Sequence, residues 1–375
     1  MPRHPETSPD VQAVRASAFS TLAHRLASFD GERYPFHVGD TWMQAPEGCR
    51  MEDLAESRWP RLNCYAPPRG TPALIEAVAA RVTTRSGLAT SADQVLIAAG
   101  GTGGLDAVCG AILDPGDEVL VLAPFWPLIE GVVRSNRGRP VAVPVHDAAG
   151  APEAIVAAVE SHRSARTVAL YLSTPNNPTG ARIPRPSLEA LAEWSAARGL
   201  WVMSDEVYED YDYGGAHTPF RPLAPDRTFS VHSFSKAFGM AGYRCGYVVG
   251  PREVMPMLTR VSTHAFYSTP TPSQAAAVTV LDGRGDDWIA GARAQYEDTG
   301  RRAAARLGVA PPEGSTFLWL DVARYLDGGG LEGLLEACAD QGICLAPGSS
   351  FGPYPSHVRM CYTAQPPDAV LRGVE

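Results

Sequence analysis

Lysine is almost absent from this chain of 375 residues. Of its 32 lysine and arginine residues, 31 are arginine, and the single lysine is Lys236 in the stretch HSFSKAFGMAGYRCGY. Drift toward arginine in a chain rich in alanine, glycine and proline accounts for the shortage, and one surviving lysine is then a matter of chance. The alternative is chemistry that needs lysine, because its amine can lose a proton and condense with a carbonyl, whereas a guanidinium does not. The neighbouring motifs decide between the two explanations.

The sequence also lacks basic clusters, long apolar runs and paired cysteines. A net charge of −9 with no basic run argues against a nucleic acid partner. No apolar stretch approaches the roughly 20 residues that cross a bilayer, and the N-terminus lacks a signal-peptide layout, so we expect a cytoplasmic protein with no membrane partner. The seven cysteines are scattered without ligand spacing, which predicts buried free thiols and no metal site.

Short β-branched runs alternate with helical patterns along most of the chain. The runs predicted as strands are QVLIAAG, DEVLVLA, RPVAVPV, TVALYLS, LWVMSD, TFSVHSF and CGYVVG. Among the helical patterns, residues 187–198 predict a helix that is capped by Ser187 and ended by Gly199. This alternation is typical of an α/β domain with a mainly parallel sheet, in which ligands bind where the strands end.

Polar and glycine-rich segments follow several of these strands. The first strand leads into GTGGLDAVCGAIL, whose amides could hold a phosphate or could form an ordinary tight turn. It is not a complete dinucleotide fingerprint, because Asp106 stands where the third glycine belongs. Later strands lead into PFWPLIE, TPNNPTG and EVYEDYDY, and TFSVHSFSK ends at Lys236. We expect the acidic run YEDYDYGG to be a solvated loop.

In order and spacing, these segments resemble the class I and II aminotransferases of pyridoxal phosphate fold type I. The matching segments are YAPPRGTPALIEA, GGTGGL, PFWP, PNNPTG, SDEVYEDYDY, SFSKAFGMAGYRCGY and VRMCYTA. The resemblance implies an α/β fold with a large domain, built on a mainly parallel seven-stranded sheet flanked by helices, and a smaller α+β domain. The implied boundaries are 1–49 for an N-terminal arm and part of the small domain, 50–281 for the large cofactor-binding domain and 282–375 for the small domain.

The resemblance explains why one lysine remains. Lys236 looks like the residue that forms a Schiff base with pyridoxal 5′-phosphate and then transfers protons as base and acid. Asp205 resembles the carboxylate that pairs with the ring nitrogen, and Tyr208 and Asn177 resemble the groups that hydrogen-bond O3′ of the ring. The other positions implied to hold the cofactor are the stacking ring of Trp126 and the phosphate ligands Gly101, Thr102, Ser233 and Arg244.

Substrate and subunit contacts are implied in the same way. Arg359 matches the arginine whose planar fork binds the substrate α-carboxylate, helped by Asn177 and the Gly39 backbone. Tyr65 resembles a tyrosine that reaches the phosphate of a neighbouring subunit, which implies a homodimer with shared active sites, and Ser268 lies near a second such contact. The segment HVGDTWMQAPEGCR departs from the family pattern, and no arginine is evident for a distal carboxylate, which favours substrates with apolar or aromatic side chains.

The reaction implied by the resemblance is transfer of an amino group between an L-amino acid and a 2-oxo acid. A β- or γ-eliminating lyase, a cyclase or an oxidase remains an alternative, because one fold hosts several chemistries around shared cofactor residues. A non-catalytic cofactor sensor joined to a DNA-binding module is disfavoured by the shortness of the segment before Tyr34. The resemblance also predicts cis peptide bonds at Ala123–Pro124 and Asn177–Pro178.

Overall fold

The computed structural model describes residues 6–14, 20–215 and 217–375, without the side chains of residues 20, 21 and 23. Its helices are α1 (Pro9–Gln12), α2 (Ser20–Ser28), α3 (Pro72–Ser86), α4 (Gly100–Ile112), α5 (Leu128–Ser135), α6 (Pro152–His162), α7 (Arg185–Ala197), α8 (Phe234–Ala237), α9 (Met255–Ala265), α10 (Thr271–Thr279), α11 (Gly285–Leu307), α12 (Gly330–Ala339) and α13 (Pro367–Val374). Its strands are β1 (Val95–Ala98), β2 (Glu118–Ala123), β3 (Arg139–Pro144), β4 (Thr167–Ser173), β5 (Trp201–Asp205), β6 (Thr228–Ser233), β7 (Gly246–Val249), β8 (Phe317–Asp321), β9 (Ala346–Pro347) and β10 (His357–Cys361).

The first seven strands of the described chain form one sheet, which we call the large sheet. Their order is β1-β7-β6-β5-β4-β2-β3. Strands β2 to β6 run parallel, and β7 lies antiparallel between β1 and β6. Each run predicted as a strand is present, so the predicted α/β fold and its mainly parallel seven-stranded sheet are confirmed.

Helices cover both faces of the large sheet, which explains why most residues of β2, β4 and β5 are apolar. On one face, side chains such as Val121 and Met203 pack against α4, α5 and α9. On the other face, Leu120 and Val202 pack against α6 and α7, and the β1 and β7 end is covered by α3 and α10. The carboxyl ends of the parallel strands remain as the place where loops can form a site.

The small sheet has the order β8-β10-β9 and is antiparallel. It packs against α11 and α13 through a separate apolar cluster. A π-helical turn, Val280–Arg284, separates α10 from α11, and within it Gly283 has φ +103°. The predicted domain boundary between residues 281 and 282 falls within this turn, and the predicted boundaries stay predictions.

The predicted N-terminus of α7 is wrong. This helix begins at Arg185 with Pro184 as its N-cap residue, and Ser187 is fully buried inside its first turn. Pro186 fits there because the first turn of a helix leaves its backbone N–H groups without helical partners. The predicted end is correct, since Gly199 has φ +68° directly after the C-cap residue Arg198.

The acidic run after β5 is also not a solvated loop. Asp210 and Asp212 are 6% and 3% exposed, so both carboxylates lie in the interior. Arg81 Nη2 lies 3.0 Å from Asp210 Oδ1, and Arg182 Nη1 lies 3.3 Å from Asp212 Oδ1. These arginines come from distant parts of the sequence, and their positive charges make burial of the carboxylates possible.

Both predicted cis peptide bonds are confirmed, and the expected burial of the cysteines holds for five of the seven. A third cis peptide bond lies at Thr174–Pro175. All seven cysteines are free thiols, and Cys64 and Cys338 are the two that are not fully buried. Within the described ranges, no helix is long and apolar enough to cross a membrane.

Candidate active site

A cavity of about 470 Å³ lies where β4, β5 and β6 end. The predicted site residues that line it are Gly39, Gly101, Thr102, Trp126, Asn177, Asp205, Tyr208, Ser233, Lys236, Arg244 and Arg359. They come from segments that are far apart in the sequence. They meet because the carboxyl ends of adjacent parallel strands lie at one edge of a sheet.

Lys236 lies on α8, the single helical turn that follows β6. Its Nζ atom donates a hydrogen bond to the carbonyl oxygen of Gly39. Burial lowers the pKa of Lys236, and the nearby Arg359 and Arg244 lower it further, although Asp40 opposes the change. A lowered pKa increases the fraction of neutral amine, which is the form that attacks a carbonyl group.

Asp205 is the last residue of β5 and is 5% exposed. Its Oδ2 accepts a hydrogen bond of 2.7 Å from the Tyr171 hydroxyl, and its Oδ1 is 3.4 Å from the Val207 backbone N. Burial raises the pKa of Asp205 to about 6, while the bond from Tyr171 lowers it. In the part of the chain that the structure describes, no basic side chain forms an ion pair with Asp205. A buried carboxylate in this setting is suited to a cationic ligand.

The part of the cavity at the start of α4 is suited to an anion. Gly101 and Thr102 lie in the first turn of α4, whose backbone N–H groups have no helical partners. Ser233 and Arg244 line the same part of the cavity. Among the described residues no carboxylate pairs with Arg244, whose guanidinium donates to the backbone carbonyls of Ala241 and Ala99. This combination of free amides, hydroxyls and a cation fits a phosphate group.

Arg359 projects from β10 and is 5% exposed. Its Nη1 donates to Asn177 Oδ1 at 2.9 Å, and its Nη2 donates to the backbone oxygen of His37 at 2.6 Å. Its guanidinium lies over the rings of Phe317 and Phe351, at 4.3 and 4.9 Å from their centroids. The buried Nε has no hydrogen-bond partner, and no acidic side chain of the described residues pairs with this arginine. Because an unpaired buried cation is costly, the arrangement is suited to a carboxylate ligand.

Two aromatic side chains complete the walls. Trp126 follows β2 and lines the cavity, where its ring can cover one face of a flat ligand. Tyr208 is 2% exposed and packs edge-on against Phe317, with the ring centroids 5.6 Å apart. Burial raises the pKa of Tyr208, so its hydroxyl stays protonated and can donate a hydrogen bond. The predicted roles of both residues stay predictions.

Tyr65 and Ser268 do not line the cavity of their own chain. Tyr65 is 86% exposed and packs edge-on against Tyr267, with ring centroids 5.0 Å apart. Trp42 also lies outside the cavity, and Met43 packs against the apolar cluster of the small sheet.

The sequence analysis missed two residues that shape the site. Tyr171 binds Asp205 from the neighbouring strand, and the His37 carbonyl anchors Arg359. Tyr171 stands near the end of a predicted parallel strand, a position from which contact with the next strand end could have been anticipated. His37 acts through its backbone carbonyl, so the amino-acid type at this position does not predict the contact with Arg359.

A second group of ionisable residues lies behind the cavity. Glu206, Glu209 and His217 bring possible metal-ligating atoms within 4.8 Å of one another. However, Arg85 Nη1 lies 3.3 Å from Glu209 Oε1, and His232 Nδ1 lies 3.1 Å from the same oxygen. Because these basic groups already compensate the carboxylate charge, we interpret the cluster as an ion-pair network that joins α3 to the loop after β5.

Comparison with known proteins identifies relatives along most of the chain. The family model described as aminotransferase class I and II matches residues 42–374. The chain is 36% identical to a probable aspartate/prephenate aminotransferase of Thermus aquaticus, in an alignment that covers 80% of this chain and 79% of that protein. It is 34% identical to an arginine–pyruvate transaminase of Pseudomonas aeruginosa, with 79% of this chain and 77% of that protein covered.

Solved structures agree with the sequence relatives. A double mutant of Thermus thermophilus aspartate aminotransferase superposes with a TM-score of 0.89 at 29% identity, covering 99% of this chain and 98% of that chain. The superposition includes both sheets and therefore supports fold type I. With the family match over residues 42–374, it shows that the chain belongs to the class I and II aminotransferases, enzymes that transfer amino groups between amino acids and oxo acids.

Proposed function

We propose that this aminotransferase uses pyridoxal 5′-phosphate, attached through Lys236, to move the amino group between an L-amino acid and a 2-oxo acid. The observation that carries the proposal is the position of Lys236. The only lysine of the chain lies in a cavity that also holds a buried carboxylate, Asp205, and a buried arginine, Arg359. Chance survival of a lysine does not explain this position.

The residues around the cavity fit this cofactor. Asp205 is a buried carboxylate suited to a protonated ring nitrogen, and the first turn of α4 with Arg244 is suited to the phosphate. Lys236 lines the same cavity and has a lowered pKa because it is buried. When bound, pyridoxal 5′-phosphate supplies an aldehyde that condenses with amines and a ring that accepts the electrons left at the substrate Cα.

Each of these side chains has a separate role in the proposed reaction. The guanidinium of Arg359, held by Asn177 and the His37 carbonyl, binds the substrate α-carboxylate and thereby orients the Cα–H bond. The neutral Lys236 amine, which burial favours, would take the proton from the substrate Cα and deliver it to the former aldehyde carbon of the cofactor. The Tyr208 hydroxyl and Asn177 would hydrogen-bond O3′ of the cofactor, and Trp126 would cover its ring.

The proposal includes the quaternary structure and the domains. Tyr65 is exposed and lies outside the cavity of its own chain, which supports a homodimer in which this side chain reaches the phosphate of the other subunit. The proposed cofactor domain spans residues 50–281, and the proposed small domain spans 282–375 together with part of 1–49.

Covalent trapping tests the proposed attachment. Borohydride treatment of the purified protein, after incubation with pyridoxal 5′-phosphate, should leave one pyridoxyl group on the peptide that contains Lys236. Because the sequence has no other lysine, mass analysis after digestion identifies the attachment directly. The matched control is Lys236→Arg, which keeps the charge and removes the reactive amine. An unmodified Lys236 peptide in the wild-type protein would exclude the proposed attachment.

A half-reaction assay tests the proposed reaction. An L-amino acid should convert the bound cofactor to its pyridoxamine form, and 2-oxoglutarate or pyruvate should reverse the conversion. The donor panel should include aspartate and arginine, for which relatives are named, and phenylalanine and leucine, which the lack of an evident distal arginine favours. Release of ammonia without formation of the pyridoxamine form would instead support a lyase or an oxidase.

A further inference from the structure

Tyr171 is a buried tyrosine whose hydroxyl has one short contact, to Asp205. It lies on β4, where β4 pairs with β5 in a register that places Ser173 opposite Asp205. Because side chains alternate along a strand, Tyr171 and Ser173 share a face of the sheet, and Asp205 projects to that same face. The Tyr171 hydroxyl therefore reaches Asp205 Oδ2 diagonally across the two strands, at 2.7 Å.

The ring of Tyr171 is surrounded by apolar side chains, whereas Asp205 is also influenced by the nearby His232 and Glu206. Tyr171 is fully buried in the cluster that includes Leu105 and Met203. The second Asp205 oxygen, Oδ1, has only the 3.4 Å contact with Val207 N. Among the described residues, the phenol thus makes the shortest hydrogen bond to Asp205, and Oδ1 is the oxygen left to accept from a ligand in the cavity.

The direction of the Tyr171–Asp205 bond follows from the protonation states. Burial raises the pKa of Tyr171 well above its usual value, so the phenol keeps its proton. Asp205 Oδ2 accepts the hydrogen bond from the phenol, and this bond lowers the pKa of the carboxyl against the effect of burial. Hydrogen bonding to the ionised form favours that form.

We propose that Tyr171 is a positioning residue for the amino-transfer reaction. Its hydroxyl holds Oδ2 of Asp205, leaves Oδ1 directed to the cavity, and keeps the carboxylate ionised, so that a proton stays on the ring nitrogen of the bound cofactor. The inference rests on the proposed function, because it takes Asp205 as the partner of that nitrogen. It adds a residue on β4 that does not line the cavity.

The reason that one hydroxyl matters is the burial of Asp205, which is 5% exposed. A carboxylate and a protonated ring nitrogen are both charged, and burial favours the neutral alternative in which the carboxyl holds the proton. A hydrogen bond donated to the carboxylate favours the charged pair. Without the Tyr171 hydroxyl, we expect the proton to move toward Asp205 and the ring to withdraw fewer electrons from the substrate Cα.

The direct test is nitrogen-15 NMR of the holoenzyme reconstituted with cofactor labelled at the ring nitrogen. In the wild type, the chemical shift should be that of a protonated ring nitrogen at neutral pH. In Tyr171→Phe, it should move toward the value of the unprotonated ring. Tyr362→Phe is the matched control, because Tyr362 is also buried, donates to the Ser315 carbonyl at 3.0 Å and lies outside the cavity lining.

Kinetics give a second readout. In Tyr171→Phe we expect kcat to fall about tenfold, the effect of losing one hydrogen bond to a charged group, while KM for the amino acid stays within about twofold. KM should change little because Arg359 is untouched. Replacement of Tyr171 by 3-fluorotyrosine keeps the donor and should keep the wild-type chemical shift. Thermal unfolding of the variants shows whether a change in fold accounts for any loss of activity.

The outcomes separate this inference from the proposed function. A wild-type chemical shift and wild-type kcat in Tyr171→Phe, with a large loss of activity in Asp205→Asn, would overturn the role of Tyr171 and leave the proposed function intact. Normal activity in Asp205→Asn would overturn the role of Asp205 itself. Equal loss of kcat in Tyr171→Phe and Tyr362→Phe, without a change in chemical shift, would show that Tyr171 is only structural.

Discussion

Arg359 illustrates at the residue scale how the fold orients a side chain for a ligand. Its guanidinium is buried over two phenyl rings, and its pKa is lowered by that burial. Two of its nitrogens are held by Asn177 and by the His37 carbonyl, which fixes the plane of the fork. The fixed plane suits a carboxylate that can accept two parallel hydrogen bonds.

Replacing this fork should weaken substrate binding. In Arg359→Lys we expect kcat/KM to fall about 100-fold, mostly through KM, because an ammonium group cannot make the paired hydrogen bonds. Arg302→Lys is the control, since Arg302 is exposed, pairs with Asp298 at 3.2 Å and also introduces one new lysine. Steady-state kinetics with varied amino acid measure the effect. An unchanged KM in Arg359→Lys would remove Arg359 from the proposed carboxylate site.

Single residues at strand ends were predictable, and their partners were not. Asp205 ends one strand that the sequence pattern predicts and Lys236 follows another, and both residues line the cavity. Tyr171 was missed because its contact depends on the register between β4 and β5. The buried state of Asp210 was missed because Arg81, its partner on α3, is distant in sequence.

At the element scale, the cavity depends on a close approach of β7 to the start of α4. A Cβ atom at Gly246 would lie 2.6 Å from the His232 backbone oxygen and 2.8 Å from the carbonyl carbon of Gly100. Gly100 has φ +73°, and a Cβ atom there would lie 2.5 Å from Arg244 Nη2. Glycine at both positions therefore lets the strand, the first turn of α4 and the proposed phosphate-binding arginine lie together.

Substitution of Gly100 should damage the proposed phosphate end of the cavity. We expect Gly100→Ala to raise the Kd for pyridoxal 5′-phosphate about tenfold or more. A residue with a Cβ atom strains the backbone at this positive φ, and the added Cβ would displace Arg244. Gly291→Ala is the control: it lies on α11 with no atom within 4 Å of the added Cβ, so it should leave cofactor affinity unchanged and stabilise the fold slightly. Fluorescence titration of the apoprotein measures both variants. Equal affinities would show that the start of α4 does not hold the phosphate.

Element types were easier to predict than their ends. All seven strands of the large sheet match apolar runs, because burial on both faces makes the runs continuous. The predicted start of α7 is wrong because Ser187 is not the cap. The helix begins two residues before this serine, at Arg185. Several residues near the start of a helix can serve as its cap, so the first residue is hard to predict from sequence. Here tertiary packing buries Ser187 inside the first turn of α7.

At the scale of the whole molecule, the cavity joins the two sheets. Asp205 and Lys236 belong to segments of the large sheet, whereas Arg359 belongs to the small sheet and reaches Asn177 across the cavity. Backbone contacts reinforce this junction, since Phe125 N donates to the Phe351 oxygen at 3.0 Å. Tyr65 is exposed in the single chain and does not line this cavity. Its position is therefore consistent with the proposed contact to a second subunit.

Mixed dimers test whether Tyr65 acts in a second subunit. Tyr65 is 86% exposed, so Tyr65→Ala should alter the fold of the single chain little while weakening cofactor binding in the partner's cavity. A Lys236→Ala chain lacks the reactive amine but keeps Tyr65. When the two inactive or impaired variants are unfolded, mixed in equal amounts and refolded, half of the dimers should combine one chain of each kind, and one of their two sites should contain both Lys236 and Tyr65. We therefore expect recovery of about a quarter of the wild-type activity per subunit at limiting cofactor. No recovery, although light scattering shows dimers, would mean that Tyr65 serves its own chain. An unimpaired Tyr65→Ala homodimer would mean that Tyr65 serves neither site.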